Sequence, residues 1–243
     1  MGFHARLLAT LALLLPLSAC ILTPGKFVST LDIGKDRSFT FTYVGEVIAP
    51  PPDKSGGDSE VKVDLDEKDS APAKPAPPKK ESPADRAKML ALADTLAKEH
   101  GYRSVRYLGN YHFAIDYAVS GKLAHNFIYP FNIDGEVIVP FIAIELRGND
   151  RLRVKAPGYA NDESRGGGDI ASAATGGLGS SGGQGKASEL DGRFTLTTDA
   201  EIISQNEEGG ATTLPNGRKQ ILWRVTALTK DAPTASLKVD TLP

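Results

Sequence analysis

The sequence predicts an α+β fold in which a strand-rich antiparallel sheet is packed by one main helix. Three observations predict it. Short runs alternate apolar and polar residues at strand spacing through most of the chain. One run only, residues 83–100, repeats its apolar residues at helical spacing. Turn dipeptides, Asp134-Gly135 and Asn216-Gly217 among them, separate the strand-like runs. The composition is compatible with this reading: 40% of the 243 residues are hydrophobic, enough for a packed core. A formal net charge of −2 lacks the basic excess that a nucleic-acid partner requires.

The chain opens with a signal. Arg6 supplies a short basic region, and residues 7–16 form an apolar run of ten. Ten residues are too few for a membrane-spanning helix, which needs roughly 20. They suit a secretory signal peptide over residues 1–19. The run ends in Leu17-Ser18-Ala19-Cys20, an apolar residue, two small residues and a cysteine. This is similar to the lipobox of bacterial lipoproteins, and Cys20 is the only cysteine in the chain. Cys20 is therefore the expected lipidation site. Two or three acyl chains at ~0.8 kcal/mol per buried CH₂ would hold the protein on the membrane. Ile21, where an Asp commonly signals inner-membrane retention, favours the periplasmic face of the outer membrane in a Gram-negative cell.

Residues 20–243 are expected to form one domain with two disordered insertions. A Pro-rich linker covers residues 50–82, and a Gly/Ser-rich loop covers residues 164–187. The second holds nine of the 25 glycines, too little apolar area to offset the entropy of ordering it. The elements then follow in order. Residues 26–33 and 38–48 alternate around the turn Gly34-Lys35-Asp36-Arg37 and predict a hairpin. Ser82 as N-cap, Pro83 at the first helical position and Gly101 beyond the end frame the helix. Its stripe of Met89, Leu92, Ala93, Leu96 and Ala97 is expected to cover one face of the sheet. Residues 103–108 and 111–119 predict a second hairpin around Gly109-Asn110. Residues 127–133 and 136–147 predict a third, apolar on both faces, with Pro140 marking an edge or a bulge. Further strands are expected at 151–156, 194–204, 220–228 and 235–239.

Catalytic patterns are scarce, and a non-enzymatic role is expected. Beyond the signal the chain has His100, His112 and His125, with no H-E-x-x-H, H-x-H or C-x-x-C spacing, so neither a metal nor a cofactor is expected. No G-x-S-x-G elbow occurs. The tract Gly182-Gly183-Gln184-Gly185-Lys186-Ala187 fails as a phosphate loop, because Ser180 stands at the first motif glycine and Ala187 follows the lysine. The acidic run Asp64, Asp66, Glu67 and Asp69 lacks the glycine and terminal Glu of a calcium loop. The feature that invites a ligand is apolar. Phe127, Tyr129, Phe131, Val137, Val139 and Phe141 belong to neighbouring strands across one turn. They form either the plain core of the domain or a groove contacting an acyl chain.

The layout resembles the LppM-type bacterial envelope lipoproteins. The early match is residues 31–39, Leu31-Asp32-Ile33-Gly34 onward to Phe39, and the late matches are residues 198–206 and Ile221-Leu222-Trp223-Arg224-Val225. The resemblance implies a membrane-anchored, lipid-contacting domain with an envelope lipid or glycolipid as ligand. It assigns no individual binding residue. The Pro-rich and Gly-rich insertions depart from the family, and no transmembrane helix is expected after the domain. A second reading makes the protein an assembly module that captures an envelope protein through its Pro-rich loop, and a third makes it an envelope hydrolase.

Overall fold

Alternation decides the first sheet. In β1 (Thr23–Ile33), Phe27, Leu31 and Ile33 are buried while Val28 and Thr30 are exposed. In β2 (Ser38–Ile48), Phe41, Tyr43 and Val47 point the same way. A computed structural model describes residues 22–51, 81–130, 140–160 and 189–242. The remaining elements are α1 (Pro83–Leu96), β3 (Tyr102–Gly109), β4 (His112–Lys122), β5 (Phe127–Tyr129), β6 (Ile142–Arg147), β7 (Arg151–Lys155), β8 (Asp191–Thr198), β9 (Glu201–Gln205), β10 (Thr212–Thr213), β11 (Lys219–Thr226) and β12 (Thr234–Lys238).

The expected strand-rich α+β fold is present, and its strands form two sheets. Seven strands order as β10-β11-β8-β1-β2-β4-β3, and five as β5-β6-β7-β12-β9. Every pairing is antiparallel except β1 with β8. The sheets share one core. Phe41, Phe113, Phe194 and Ile221 face Ile142, Ile144, Leu152 and Leu237 across it. Each fully buried side chain of this size contributes about 1.5–3 kcal/mol.

Several elements differ from expectation, each for a local reason. The helix stops at Leu96 rather than continuing to residue 100. Lys98 and Glu99 donate to Thr95 and Leu96 in tighter three-residue turns. Gly101 then reverses the chain at φ 92°, where a Cβ would lie 2.5 Å from the Tyr117 ring. Of the apolar stripe only Ala93 is buried, Met89, Leu92 and Leu96 are half-buried, and Ala97 is exposed. The helix packs beside β3 at the margin, because the second sheet already covers the first. The strand expected over 194–204 breaks at Asp199-Ala200, where the Ala200 N–H donates to Thr198 Oγ1 at 2.9 Å. That break carries the chain from the larger sheet (β8) to the smaller (β9). The hairpin expected around Asp134-Gly135 and most of the two insertions lie outside the described residues.

The register gives the sandwich two distinct ends. Thr23 pairs with Ile48, Ile48 with His112 and Lys26 with Asp191, which sets these residues at one end. We call it proximal, since it holds the start of β1. Tyr129 pairs with Ile142 and Lys155 with Thr234 at the same end. The distal end holds Arg37, Leu123, Asp150, Asp199 and Asp240, linked by Leu123 N–H to Arg37 O at 2.9 Å and Asp240 N–H to Lys35 O at 2.8 Å. The chain leaves the described structure after Pro51, Pro130 and Ala160 and returns at Glu81, Pro140 and Glu189. All six positions are proximal: the Asn110 N–H reaches Glu81 Oε2 at 3.1 Å, and His112 lies 3.6 Å from Glu189.

Candidate functional site

The proximal half of the core is aromatic. Phe27 stacks on Tyr159 with ring centroids 4.3 Å apart and on Tyr43 at 5.6 Å. Tyr129 lies 4.4 Å from Tyr117 and 5.1 Å from Phe41. Two glycines make room for this packing. A Cβ at Gly45 would lie 2.5 Å from the Phe27 Cβ, and one at Gly192 would lie 2.4 Å from the Phe27 ring. A third, Gly158, brings its turn to 2.6 Å from the Phe141 Cα by the same measure.

The sequence candidates divide across this arrangement. Tyr129 and Phe141 are buried, 2% and 1% exposed, inside the aromatic cluster. Phe127 is half-buried on β5, its ring 5.2 Å from Phe39 and 5.6 Å from Phe41. Phe131, Val137, Val139 and Cys20 lie outside the described residues. Tyr129 and Phe141 pack edge to face, with ring centroids 5.9 Å apart. Reading the residues missed Tyr159, which reaches the core from a single 3-10 turn, Pro157–Tyr159, preceding the Gly-rich stretch. Proline and glycine there read as a loop, and no apolar periodicity surrounds the tyrosine.

The cluster's phenols are held in the neutral form. Burial pushes the phenols of Tyr43 and Tyr129 well above the ordinary tyrosine value. Tyr102 is pushed up to about 12, mainly by burial. Tyr43 donates to the Glu46 carbonyl at 2.7 Å. Such groups bind and orient but supply no base at neutral pH.

The surface of the proximal end carries exposed apolar side chains. Leu228, in the turn after β11, is 87% exposed, and Leu108, near the end of β3, is 49% exposed. The distal end bears instead a shallow cleft of about 740 Å³, lined by Lys35, Asp199, Glu201, Lys219, Lys238 and Asp240 among others. A second cleft of about 420 Å³ lies beside β11, next to Trp223. Among the described residues no group of three or more His, Cys, Asp or Glu is placed to hold a metal. Among them, no helix is long and apolar enough to cross a membrane.

These observations define a two-sheet sandwich with a marginal helix, with Leu228 and Leu108 exposed at the proximal end and a charged cleft at the distal end. No family model matches the chain, and no curated protein matches it. Among solved structures it aligns with the NMR structure of the Mycobacterium tuberculosis LppM folded domain. The alignment covers 92% of this chain and 94% of that one, at 14% identity and a TM-score of 0.31.

Proposed function

We propose that this protein is a non-enzymatic, lipid-anchored lipoprotein of the bacterial envelope whose proximal end faces the bilayer and contacts membrane lipid or envelope glycolipid. The observation that carries the reading is a coincidence of position. Thr23 begins β1 only three residues after Cys20, so an acylated Cys20 holds that end within roughly 10 Å of the bilayer at ~3.3 Å per residue. Pro130 and Pro140, which bound the apolar stretch containing Phe131, Val137 and Val139, lie at the same end. Leu228 and Leu108 add exposed apolar surface there.

The candidate residues take different parts in this reading. Phe131, Val137 and Val139 are the proposed lipid contacts, while Tyr129 and Phe141 belong to the packed core. The test is flotation of the unlipidated Cys20→Ser protein with phosphatidylethanolamine/phosphatidylglycerol vesicles. It is expected to float, and F131D/V139D is expected to sediment while keeping its thermal unfolding transition. Tyr129→Asp is expected to unfold. Flotation unaffected by F131D/V139D, or no flotation of the parent, contradicts lipid contact through this end.

A further inference from the structure

The margins of the two sheets are closed to different degrees. The β3 margin has register shifts between Tyr102 and Ser104 and between Tyr107 and Gly109, and α1 lies beside it. Past the short β5, the margin of β6 is capped by Asn126, whose Oδ1 accepts the Leu146 N–H at 2.8 Å. The β9 margin follows a register shift between Ser236 and Leu237. Shifts, short strands and caps of this kind are how natural sheets avoid edge pairing.

The β11 margin has none of these along its middle. Its pairing with β8 runs through eight residue pairs without a shift. Its outer neighbour β10 covers only Lys219 and Gln220. At the other end the Thr226 N–H donates to Thr229 Oγ1 at 2.9 Å, and the Thr229 N–H returns to Thr226 O at 3.0 Å. Backbone groups alternate in direction along an antiparallel strand. Since those of Thr226 turn away from β8, those of Leu222 and Arg224 do so too. Among the described residues these two N–H and two C=O groups have no partner.

The 420 Å³ cleft runs beside this stretch. Trp223 forms its floor, stacked on Phe194 at 5.3 Å and held by its indole N–H, which donates to Asn206 Oδ1 at 3.1 Å. Glu207 and Glu208 line the cleft together with Arg224, Lys230 and Asp231. We infer that the open edge of β11, from Leu222 to Arg224, is a strand-addition site for an extended peptide segment of a partner protein, with a basic residue at its centre.

The geometry selects that occupant. A peptide opposite Leu222 and Arg224 forms four main-chain hydrogen bonds, and its central residue, opposite Trp223, points inward beside Glu207 and Glu208. A lysine or arginine there gains a charged partner, whereas a glutamate meets two like charges. A second copy of the chain does not fit. In an antiparallel pairing centred on Trp223, β10 of each copy falls on Thr226 of the other. Only a lone strand can enter and leave a window this short.

Trp223 is the only tryptophan in the chain, so its fluorescence reports the site directly. The experiment titrates full-length protein in detergent with the peptide acetyl-Thr-Thr-Val-Lys-Val-Thr-Thr-amide. Two control peptides accompany it, one with glutamate replacing the lysine and one N-methylated at both valines. A saturable change with the lysine peptide, at least roughly tenfold weaker with each control, is expected. No saturable change overturns the site. Equal binding of the N-methylated peptide overturns strand addition, and equal binding of the glutamate peptide overturns the basic preference.

Discussion

Arg37 shows how much of this fold depends on a single side chain. It stands at φ 71° in the β1–β2 turn and is 1% exposed. Its guanidinium donates to the carbonyls of Asp240 at 2.6 Å, Leu123 at 3.4 Å and Asn149. One cation thus joins the β1–β2 turn, the loop after β4, the β6–β7 turn and the C-terminal segment. Replacing it by methionine keeps much of the volume and leaves the Asp240 and Leu123 carbonyls without a donor, while the Asn149 carbonyl keeps the Leu242 N–H at 3.3 Å. Each unsatisfied buried group costs about 1–3 kcal/mol, so Arg37→Met is expected to lose about 2 kcal/mol or more in urea unfolding. Arg37→Lys, which keeps a charge and a donor, is expected to lose less. A loss under about 1 kcal/mol for the methionine variant contradicts this role. The turn itself was legible, because Gly34 and Asp36 are turn residues and Asp36 Oδ1 accepts the Ser38 N–H at 3.0 Å. The burial of Arg37 was not, because an arginine in a turn reads as solvated surface.

Strands whose two faces differ were legible, and those whose partners come from afar were not. β1 and β2 alternate cleanly, and both ends of the hairpin fall within three residues of the expectation. The break between β8 and β9 is a side-chain event: Thr198 is a normal strand residue until its hydroxyl accepts the Ala200 N–H. The division into two sheets was hidden for a related reason. Residues apolar on both faces read equally as a central strand or as a lining, and only the partners decide between them. For the helix, the cap was legible and the packing was not. Ser82 Oγ accepts the Asp85 N–H at 3.1 Å as expected, yet the helix is held as much by polar contacts at its N-terminus as by its apolar stripe. Glu81 accepts from the Tyr107 hydroxyl and the Asn110 N–H and lies 3.6 Å from Arg86. The Tyr107 hydrogen bond, aided by Asn110 and Arg86, holds the Glu81 carboxyl below its ordinary value. A carboxylate lowered on folding stabilises the folded state above its unfolded pKa, near 4.3, and that contribution disappears as pH falls through the lowered value. Amides of α1 are therefore expected to lose hydrogen-exchange protection, corrected for intrinsic rate, as pH falls below about 4, before those of β2 and β4. Glu81→Gln is expected to flatten this difference. Loss of protection at the same pH in all three elements contradicts the role given to Glu81.

At the scale of the whole molecule, the proposed function depends on which end of the sandwich faces the membrane. The first strand was legible to within three residues of its start, because its alternation is a local pattern. The gathering of chain departures at the proximal end was not, because it depends on the register of β1, β2, β4 and β8 together. The candidate groove divided for the same reason. Tyr129 and Phe141 are packed in the core, and the proposed contact surface lies at the end where β1 starts. An eleven-residue strand spans roughly 36 Å, so the two ends differ greatly in height if the sandwich stands upright. The most direct test is depth measurement by spin-label power saturation on the lipidated protein in vesicles. A cysteine is placed at Leu228 in one variant and at Asn216, in the distal turn before β11, in another. Acylation of Cys20 leaves the introduced thiol as the only reactive one. The label at position 228 is expected at the headgroup level, and the label at 216 roughly 30 Å or more above it. Equal depths, or the reverse order, would contradict a proximal end that faces the membrane.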